Sequence, residues 1–292
     1  MKEPTLAGTT RRQFLGCVAG LAAASAMPLA AAEPRWTMKL SASSIDFSRV
    51  PIEKACEHIA GLGFDAIDIW SAHAGCPHLD DVQKRLGPQG LQDLLAKNKL
   101  KLYAFSVYAG GYAQYADLLG KAGGGVAIQG SAGPCDAKDL VPRMKAFLDG
   151  LKPLADLAEK NNSFLAIENH GHALLDSVDS FRAFVDLNKN PRLGIALAPY
   201  HIQARKERVE DAIAAAGPQL LFFYAWQHAP GIEELPGHGP TDFTPWLAAL
   251  AKANYRGYVN PFMHGEPPPE AMIPALKKSR DYLKACYAKA AP

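Results

Sequence analysis

The sequence predicts a single-domain α/β fold, the eight-stranded (β/α)8 TIM barrel, preceded by an N-terminal signal peptide. Eight short apolar runs alternate with helical patterns along the chain, and successive runs begin 24 to 38 residues apart. A strand followed by a helix occupies about that length, and eight such units typically need about 250 residues. An open doubly wound sheet is the alternative, but it normally has fewer strands, and no GxGxxG motif opens a helix in this sequence.

Residues 1–32 have the pattern of a twin-arginine signal peptide. The adjacent Arg11 and Arg12 precede a short apolar run rich in Ala and Gly, and three alanines that end at Ala32 fit a small-residue cleavage site. The run is too short for a comfortable membrane span, although an uncleaved N-terminal anchor is the alternative. Cleavage predicts an exported, periplasmic protein of residues 33–292 with no stable membrane span.

Charge argues against a nucleic-acid partner for the mature chain. The whole sequence has a formal net charge of +2, and its first 32 residues contain three basic residues and one acidic residue, so the remainder is neutral. A neutral chain has no basic surplus with which to bind a phosphate backbone. The four cysteines after residue 32 show no CxxC or zinc-binding spacing. We expect buried free thiols, although an exported protein can form a disulfide.

The eight apolar runs are predicted strands of one parallel sheet. Most of them are too uniformly apolar for a sheet with one face in water, so we expect both faces to be covered, as the faces of parallel sheets are. The runs comprise residues 38–42, 66–70, 102–107, 126–129, 164–168, 193–198, 220–226 and 257–262.

Helical patterns fill the intervals between the strands. The first begins after Pro51 and stops before Gly63, and its apolar residues recur three or four positions apart. Similar patterns cover residues 91–95, 144–158, 178–187 and 243–253. Three prolines at 267–269 follow the last strand and predict the rigid start of a C-terminal helix.

Histidines concentrate where catalytic side chains of such a barrel lie, at the C-terminal ends of the strands. Seven of the nine histidines follow predicted strands: His73, His78, His170, His172, His201, His228 and His264. A random scatter would not favour one rim. Imidazole groups suit proton transfer, metal binding and hydrogen bonds to hydroxyls, and Tyr and Trp rings suit stacking on a sugar-like ring. We therefore expect a site for a small carbohydrate or polyol at this rim.

Nine residues at the rim are candidates for the site. The catalytic candidates are Glu168, His201, His228 and His264, and the substrate-binding candidates are Trp70, Tyr108, His170, Tyr200 and Trp226. Each has a structural alternative: the carboxylate can accept backbone hydrogen bonds, the histidines can be loop residues, and the rings can be packing at the edge of the core. Function is favoured for Glu168 because a buried carboxylate is costly without a partner.

Four segments occur in an order that points to one family. They read GFDAID at 63–68, LAIENH at 165–170, PYH at 199–201, and a closing stretch from LPGHG at 235–239 to YRGY at 255–258. In this order the chain resembles the xylose-isomerase-like TIM-barrel superfamily, the sugar phosphate isomerase and epimerase group, over residues 38–287. The resemblance implies the barrel fold and an enzyme that acts on a sugar.

The resemblance also implies a set of metal ligands. Active members of that family hold one divalent metal with Glu on the fifth strand, Asp on the sixth, His on the seventh and Glu on the eighth, and the two glutamates relay protons. By resemblance, Glu168 matches the first ligand and His201 matches a substrate-contacting histidine. The other three positions fall on Ala198, Ala225 and Phe262, so three of the four ligands are absent.

The sequence therefore predicts no resident cofactor, because one carboxylate holds a divalent ion poorly. The alternative is a rebuilt metal site made of Glu168, His201, His228 and His264, whose imidazoles would favour zinc, copper or nickel over magnesium. Without the second glutamate, the proton relay of the family cannot run in its usual form.

The predicted function is proton transfer next to the carbonyl of a carbohydrate or polyol, by an exported isomerase, epimerase or lyase. Glu168 would be the general base, and His201, His228 or His264 would serve as acid or hydroxyl contact. Phosphate on the substrate is not expected, because the rim offers no Arg or Lys. The alternative is a non-catalytic carbohydrate-binding protein on a decayed isomerase barrel. A nuclease is disfavoured by the neutral charge and the missing metal ligands.

Overall fold

The computed structural model describes residues 36–290, and within them eight parallel strands form one sheet whose order follows the chain. The strands are β1 Ser41–Ser43, β2 Ala66–Trp70, β3 Lys101–Ser106, β4 Gly125–Gly130, β5 Ser163–Glu168, β6 Leu193–Leu197, β7 Leu220–Ala225 and β8 Val259–Pro261. A single parallel bridge between Leu40 and Val259 joins the two ends and nearly closes the barrel. The predicted TIM barrel is confirmed, whereas the predicted signal peptide lies outside the described residues.

All eight predicted strands are present, and the main differences lie at the seam of the barrel. β1 and β8 each span three residues, fewer than predicted. At the seam, backbone pairing is reduced to the bridge and to a hydrogen bond of 2.9 Å from the Val259 N–H to the Lys39 oxygen. β8 also ends at Pro261, which has no N–H to donate to a neighbouring strand.

Ten α-helices in the described residues connect and cover the strands. They are α1 Ile52–Gly61, α2 His78–Asp81, α3 Gly87–Asn98, α4 Tyr112–Lys121, α5 Leu140–Lys160, α6 Val178–Leu187, α7 Pro199–Ala204, α8 Val209–Ala216, α9 Thr244–Lys252 and α10 Pro269–Ala290. The predicted helices correspond to α1, α3, α5, α6, α9 and α10. The patterns miss α2, α7 and α8, which are eight residues or shorter, and α4, whose buried face uses Tyr112 and Tyr115.

Strand alternation divides the core into two parts. Successive side chains of a strand face opposite sides, so alternate residues pack either on the helices or inside the barrel. In β2, Ile67 and Ile69 pack with the helices, whereas Ala66 and Trp70 belong to the cluster inside the barrel. Asp68 lies between the two isoleucines and therefore faces the interior. Polar residues at such positions converge near the C-terminal ends of the strands.

The four cysteines of the described residues are free thiols, and burial keeps two of them protonated. Cys56, Cys76 and Cys286 are buried free thiols, and Cys135 is a half-buried one. Burial raises the pKa of the Cys56 and Cys76 thiols to about 12, so both remain protonated at neutral pH. Among residues 36–290, no helix is both long enough and apolar enough to cross a membrane.

Candidate functional site

The nine candidate residues lie together at the C-terminal end of the barrel. Tyr108 hydrogen-bonds to Glu168, and ring contacts lead from Tyr108 through Trp70 and His264 to Trp226. The same chain of ring contacts continues to the remaining four candidates, Tyr200, His201, His228 and His170. The fold therefore assembles the nine residues into one group, which we call the rim cluster.

Glu168 is the last residue of β5, and its carboxylate is nearly buried in the mouth of the barrel. Its exposed fraction is 9%, and Oε2 accepts a hydrogen bond of 2.7 Å from the Tyr108 hydroxyl. Burial raises the pKa of Glu168 to about 7, against the lowering effects of the Tyr108 hydrogen bond and of His170 and His264. Such a carboxyl group can take up and release a proton near neutral pH, as a general base must.

A second carboxyl group, that of Asp68, lies deeper in the barrel and is fully buried. Its Oδ2 accepts hydrogen bonds from Ser43 at 2.9 Å and from the Trp70 indole at 2.6 Å, and Ser106 donates to it at 3.0 Å. Burial raises the pKa of Asp68 to about 6, and these three donors oppose the rise. Asp68 is absent from the predicted site, although a carboxylate inside the apolar strand AIDIW marks it.

Tyr224 lies between the two carboxyl groups. Its hydroxyl is 3.2 Å from the Tyr108 hydroxyl and 3.4 Å from Ser106 Oγ. Burial raises the pKa of both tyrosines well above the usual range, so their hydroxyls keep their protons. Tyr224 lies near the C-terminal end of a predicted strand, but it is not among the nine candidate residues. Its alternation with Phe222, which also lies inside the barrel, is the signal for an inward side chain.

Aromatic rings fill the centre of the mouth. Phe262 is buried, and its ring stacks on Trp70 at a centroid distance of 5.3 Å. It also lies 4.9 Å from Tyr224 and 5.2 Å from Trp226. On the other side of Trp226, Tyr200 stacks at 4.4 Å. Rings of this kind pack against sugar rings, but here Trp70, Trp226 and Phe262 pack on neighbouring rings and are almost fully buried, and Tyr200 is half-buried.

His201 is a buried and neutral histidine. Its ring centroid is 4.1 Å from that of His170 and 5.3 Å from that of Trp226. Burial, reinforced by His170, His264 and His228, lowers the pKa of His201 to about 3. Its Nε2 is buried and has no hydrogen-bond partner among the described residues. An unpaired imidazole nitrogen in this position suits a hydrogen bond with a hydroxyl group of a ligand.

Glu234 connects the loops that follow β7 and β8. Its Oε2 accepts a hydrogen bond of 2.7 Å from the Trp226 indole and one of 2.9 Å from the backbone N–H of His264. The His264 ring contacts Trp70 and Trp226, and its Nδ1 lies 3.6 Å from a carboxylate oxygen of Glu266. Glu234 thus fixes two residues of the rim cluster, although it is absent from the predicted site.

His170 and His228 lie at the outer edge of the rim cluster, and both are exposed. His170 Nδ1 is 2.9 Å from the Gly171 backbone oxygen. The backbone N–H of His228 donates to Oε1 of Gln203 at 2.8 Å. The His228 ring remains 4.7 Å from that of Tyr200. Their positions suit contact with a ligand at the entrance rather than proton transfer inside the mouth.

The carboxylates of the mouth have no cationic partner within the described part of the chain. Asp68 and Glu168 accept hydrogen bonds from hydroxyl and indole groups, and Glu234 accepts from an indole and a backbone N–H. Arg49 approaches this region, but it donates to the backbone oxygen of Glu266 at 3.4 Å. A phosphate group would therefore find no paired Arg or Lys of the kind that usually binds it.

Asp46 is a buried acid that follows β1, close to the mouth. Its exposed fraction is 1%, and neither carboxylate oxygen has a hydrogen-bond partner among the described residues. Burial, with the negative charges of Glu266 and Asp68 adding to it, raises the pKa of Asp46 well above its usual range. Burial of this kind favours the neutral form of a carboxyl group over the ionised form. Sequence patterns give no signal for it.

The residues present do not fit the divalent metal that the resemblance implies. Ala198 and Phe262 face the barrel interior, but neither side chain has a ligand atom. Ala225 packs on the helices, so the match of the seventh-strand ligand to it is wrong by one residue, and its inward neighbours are Tyr224 and Trp226. In the described part of the chain, no three His, Cys, Asp or Glu side chains form a group that could hold a metal ion.

The alternative ligand set of Glu168, His201, His228 and His264 is not assembled either. The carboxylate of Glu168 faces Tyr108, whereas the three histidines contact the edges of neighbouring aromatic rings. The reactive groups of the site are therefore its side chains.

A separate cavity of about 550 Å³ opens at the opposite end of the barrel. Its lining includes Tyr103, Phe164, Leu221 and Tyr255, and the Tyr103 hydroxyl donates to the Leu221 oxygen at 2.6 Å. None of the rim cluster lines this cavity. Because chemistry in such barrels takes place at the C-terminal ends of the strands, the cavity is not part of the candidate site.

Comparison with known proteins identifies sugar epimerases among the relatives of this chain. A family model described as a xylose isomerase-like TIM barrel matches residues 56–286. The L-ribulose-5-phosphate 3-epimerase of Salmonella paratyphi A is 26% identical over 148 residues, which cover 49% of this chain and 51% of that protein. The match therefore spans about half the length of that epimerase.

Two solved structures are similar over nearly their whole length. D-Psicose 3-epimerase from Clostridium cellulolyticum H10, solved with D-tagatose, has 17% identity and a TM-score of 0.67, covering 86% of this chain and 99% of that one. The 3-keto-D-glucoside 4-epimerase from E. coli has 16% identity and a TM-score of 0.65, covering 84% and 100%. At such low identity, the similarity shows the shared fold alone.

The raised pKa of Glu168 predicts that the folded protein loses stability as the pH rises. A carboxyl group with a raised pKa contributes stability that is full below its unfolded pKa and lost as the pH rises through its folded pKa. For Glu168 this window runs from 4.5 to about 7, and the loss is at most about 3 kcal/mol. We expect E168Q to remove this loss. The free energy of unfolding of E168Q in urea, relative to that of the wild type, should therefore increase as the pH rises.

E159Q is the matched control for that measurement, because Glu159 is an exposed partner of Arg192 and its pKa is lowered rather than raised. A difference between wild type and E168Q that stays constant across this pH range would contradict the raised pKa of Glu168.

The poor fit to a metal predicts that divalent ions do not stabilise the protein. An ion bound only by the folded state, at about 100 times its Kd, adds about 2.7 kcal/mol to the free energy of unfolding. We expect Mn²⁺, Mg²⁺ or Zn²⁺ to leave the Tm of the untagged protein unchanged. A stoichiometric ion in elemental analysis of that protein would overturn this expectation.

Proposed function

The chain belongs to the xylose isomerase-like TIM barrel family, and we propose that it is an enzyme that moves a proton next to the carbonyl group of a carbohydrate or polyol. Sugar epimerases among its relatives support a sugar-like substrate. The observation that carries the proposal is the carboxylate of Glu168, nearly buried in an aromatic mouth with a pKa of about 7. A general base is most effective when its pKa is near the working pH.

Glu168 is the general base of the proposed reaction. Its carboxylate takes the proton from the carbon beside the carbonyl and gives it back to the same or to a neighbouring carbon. Tyr108 holds the carboxylate through its hydrogen bond of 2.7 Å, which also supplies a hydroxyl group beside the reacting atoms. Return of the proton to the neighbouring carbon gives an isomerase, whereas inversion at the same carbon also needs a proton donor on the opposite face of the substrate.

The histidines take different parts in this proposal. His264 contacts Trp70 and Trp226 inside the mouth and serves as the acid toward the substrate oxygen. His201 has a pKa of about 3 and is a poor proton donor, so its unpaired Nε2 binds a substrate hydroxyl instead. His228, which is exposed, contacts the substrate at the entrance together with His170.

The substrate in this proposal is uncharged. Trp70, Tyr200 and Trp226 provide the stacking surfaces, and the carboxylates of the mouth accept hydrogen bonds from hydroxyl groups. No Lys or Arg side chain among the described residues pairs with those carboxylates, which disfavours a phosphorylated sugar. The relative from Salmonella paratyphi A is named for a phosphorylated substrate, so the two proteins would differ in this respect.

A non-catalytic carbohydrate-binding protein is the second candidate. The observation that favours it is the aromatic packing around Phe262, at a position where the family resemblance expects a catalytic glutamate. Stacking rings and hydroxyl-binding groups would then remain without turnover.

We also propose that the protein is exported through the twin-arginine route. The support is the sequence of residues 1–32, with its paired arginines, short apolar run and closing alanines. Because that route moves proteins that are already folded, the barrel would form before export.

Proton exchange with solvent tests the proposed reaction without knowledge of the product. Wild-type protein is incubated in D2O with a panel of unphosphorylated keto- and aldo-sugars, and NMR detects deuterium at the carbon beside the carbonyl. We expect exchange with at least one sugar and a loss of at least about 100-fold in E168Q, because that variant lacks the base. E159Q, which changes an exposed glutamate, should exchange like wild type.

The same panel separates the two candidate functions. Sugars that raise the Tm of the wild type without exchange would favour the binding protein over the enzyme. If no sugar produces exchange or a Tm shift, the proposed function is wrong.

Replacement of the arginine pair tests export. We expect R11K/R12K to keep the full-length precursor in the cytoplasm, whereas the wild type yields a periplasmic form that begins after Ala32, as read by N-terminal sequencing. A K2Q variant, which changes a charge outside the pair, serves as the control. Equal processing of R11K/R12K and wild type would contradict the twin-arginine route.

A further inference from the structure

Three hydroxyl groups connect the two buried carboxyl groups of the barrel. The Tyr108 hydroxyl is 2.7 Å from Glu168 Oε2, and the Ser106 hydroxyl is 3.0 Å from both oxygens of Asp68. Tyr224 lies between these donors, at 3.2 Å from the first and 3.4 Å from the second. The path from Glu168 to Asp68 thus runs through Ser106 and Tyr108, at and just after the end of β3, and through Tyr224 on β7, with no charged group inside it.

The protons of these hydroxyls can be assigned from the acceptors. Tyr108 and Ser106 each carry one proton and donate it outward to a carboxylate, when both carboxylates are ionised. Tyr224 carries one proton and has two hydroxyl neighbours, and either atom of each pair can be the donor. Its contacts of 3.2 Å and 3.4 Å are long for hydroxyl hydrogen bonds, and with one proton Tyr224 can donate to one neighbour while it accepts from the other.

We propose that Asp68 is the proton store of Glu168, reached through the hydroxyl chain of Tyr108, Tyr224 and Ser106. This inference rests on the proposed function, in which Glu168 removes a proton from the substrate. Asp68, Ser106 and Tyr224 are buried and act through Glu168, so they are positioning residues rather than residues that touch the substrate.

The transfer moves one proton from Glu168 to Asp68 and leaves all three hydroxyl groups neutral. Once Glu168 has taken the substrate proton, the Tyr108 hydroxyl turns its proton from Glu168 toward Tyr224. The Glu168 O–H bond then breaks as a new O–H bond forms on Tyr108, whose own proton moves to Tyr224. Tyr224 in turn passes its proton to Ser106, and Ser106 passes its proton to the Asp68 carboxylate. The result is an ionised Glu168, a neutral Asp68 and three neutral hydroxyls, and the reverse movement returns the proton.

The surroundings of the two carboxyl groups suit exchange in both directions. Burial raises the pKa values of both, to about 7 and about 6, so each carboxyl group can hold or release a proton near neutral pH. The other titratable groups that act on Glu168 are His170 and His264, and Asp46 is the carboxyl group that faces Asp68.

A second proton-holding group is useful here because the rim cluster contains a single carboxylate. Phe262 lies where the family resemblance expects a second glutamate, so Glu168 is the one carboxylate of the rim cluster. A substrate proton that waits on Glu168 occupies the base, whereas a proton moved to Asp68 leaves the base ionised and ready. The hydroxyl chain supplies that second place without a second carboxylate beside the substrate.

The Y224F variant removes the central hydroxyl while keeping the ring that packs on Phe262. With a sugar that shows exchange, we expect kcat to fall at least about tenfold in Y224F while KM stays within about twofold, because Tyr224 is buried and does not touch the substrate. The D68N/Y224F double variant should be no slower than D68N, because both changes interrupt one path. Y103F is the matched control, since it removes a buried tyrosine hydroxyl at the opposite end of the barrel.

A titration of the Glu168 carboxyl group tests its coupling to Asp68 through the three hydroxyl groups, and it needs no substrate turnover. Glu168 is followed by NMR in protein labelled with ¹³C at glutamate carboxyl groups, and its signal is assigned by its absence in E168Q. We expect D68N to shift the titration midpoint of Glu168 in the wild-type background by at least about half a pH unit, and to shift it less in the Y224F background. S106A, which breaks the chain at its other link, repeats the test if Y224F proves poorly folded in a thermal melt.

The outcomes separate the relay from the proposed function. If sugars exchange deuterium but Y224F and S106A match Y103F in kcat, the relay is wrong and the proposed function stands. If no sugar exchanges deuterium, the proposed function is wrong. If D68N shifts the titration midpoint of Glu168 equally in the wild-type and Y224F backgrounds, the relay is wrong.

Discussion

The buried carboxylate of Asp68 is the interaction on which the mouth of this barrel depends. It accepts hydrogen bonds from Ser43 on β1, Trp70 on β2 and Ser106 on β3. Ser43 in turn accepts a bond of 2.7 Å from Asn260 on β8. One carboxylate thus links four adjacent strands across the seam, where the backbone provides a single bridge. Loss of one partner would leave a buried polar group unsatisfied, which costs about 1–3 kcal/mol.

The mouth combines several carboxyl groups, and among residues 36–290 Asp68 and Glu168 pair with no Lys or Arg side chain, which determines their chemistry. Asp46, Asp68 and Glu168 are desolvated by the same packing, and each has a raised pKa as a result. An Arg or Lys beside any of them would favour the ionised form and remove the capacity to hold a proton near neutral pH. The acid-rich, cation-poor mouth therefore suits proton transfer and neutral hydroxyl groups better than phosphate.

Aromatic packing explains how the fold of a metal-dependent family can exist with a different interior. Phe262 contacts Trp70, Tyr224 and Trp226, so its ring fills space in the mouth and helps to desolvate the groups around it. The side chains that surround this ring donate hydrogen bonds instead of binding an ion: the Trp70 indole to Asp68, and the Trp226 indole to Glu234. The shared barrel sets where the strands end, and the side chains at those ends set the chemistry.

Apolar periodicity reports which faces are buried, so residue patterns alone predict the barrel, its eight strands and the nine candidates at the strand ends. The contacts between side chains across the mouth, including those of Asp68, Tyr224 and Glu234, follow from the folded barrel. Tyr108 and Glu168 are 60 residues apart in sequence, and Ser106 and Tyr224 are 118 apart. In the folded barrel, Ala225 also packs on the helices, and Ser43 comes close enough to donate a hydrogen bond to Asp68. Such pairings depend on strand register and closure of the barrel, which no local pattern of residues encodes.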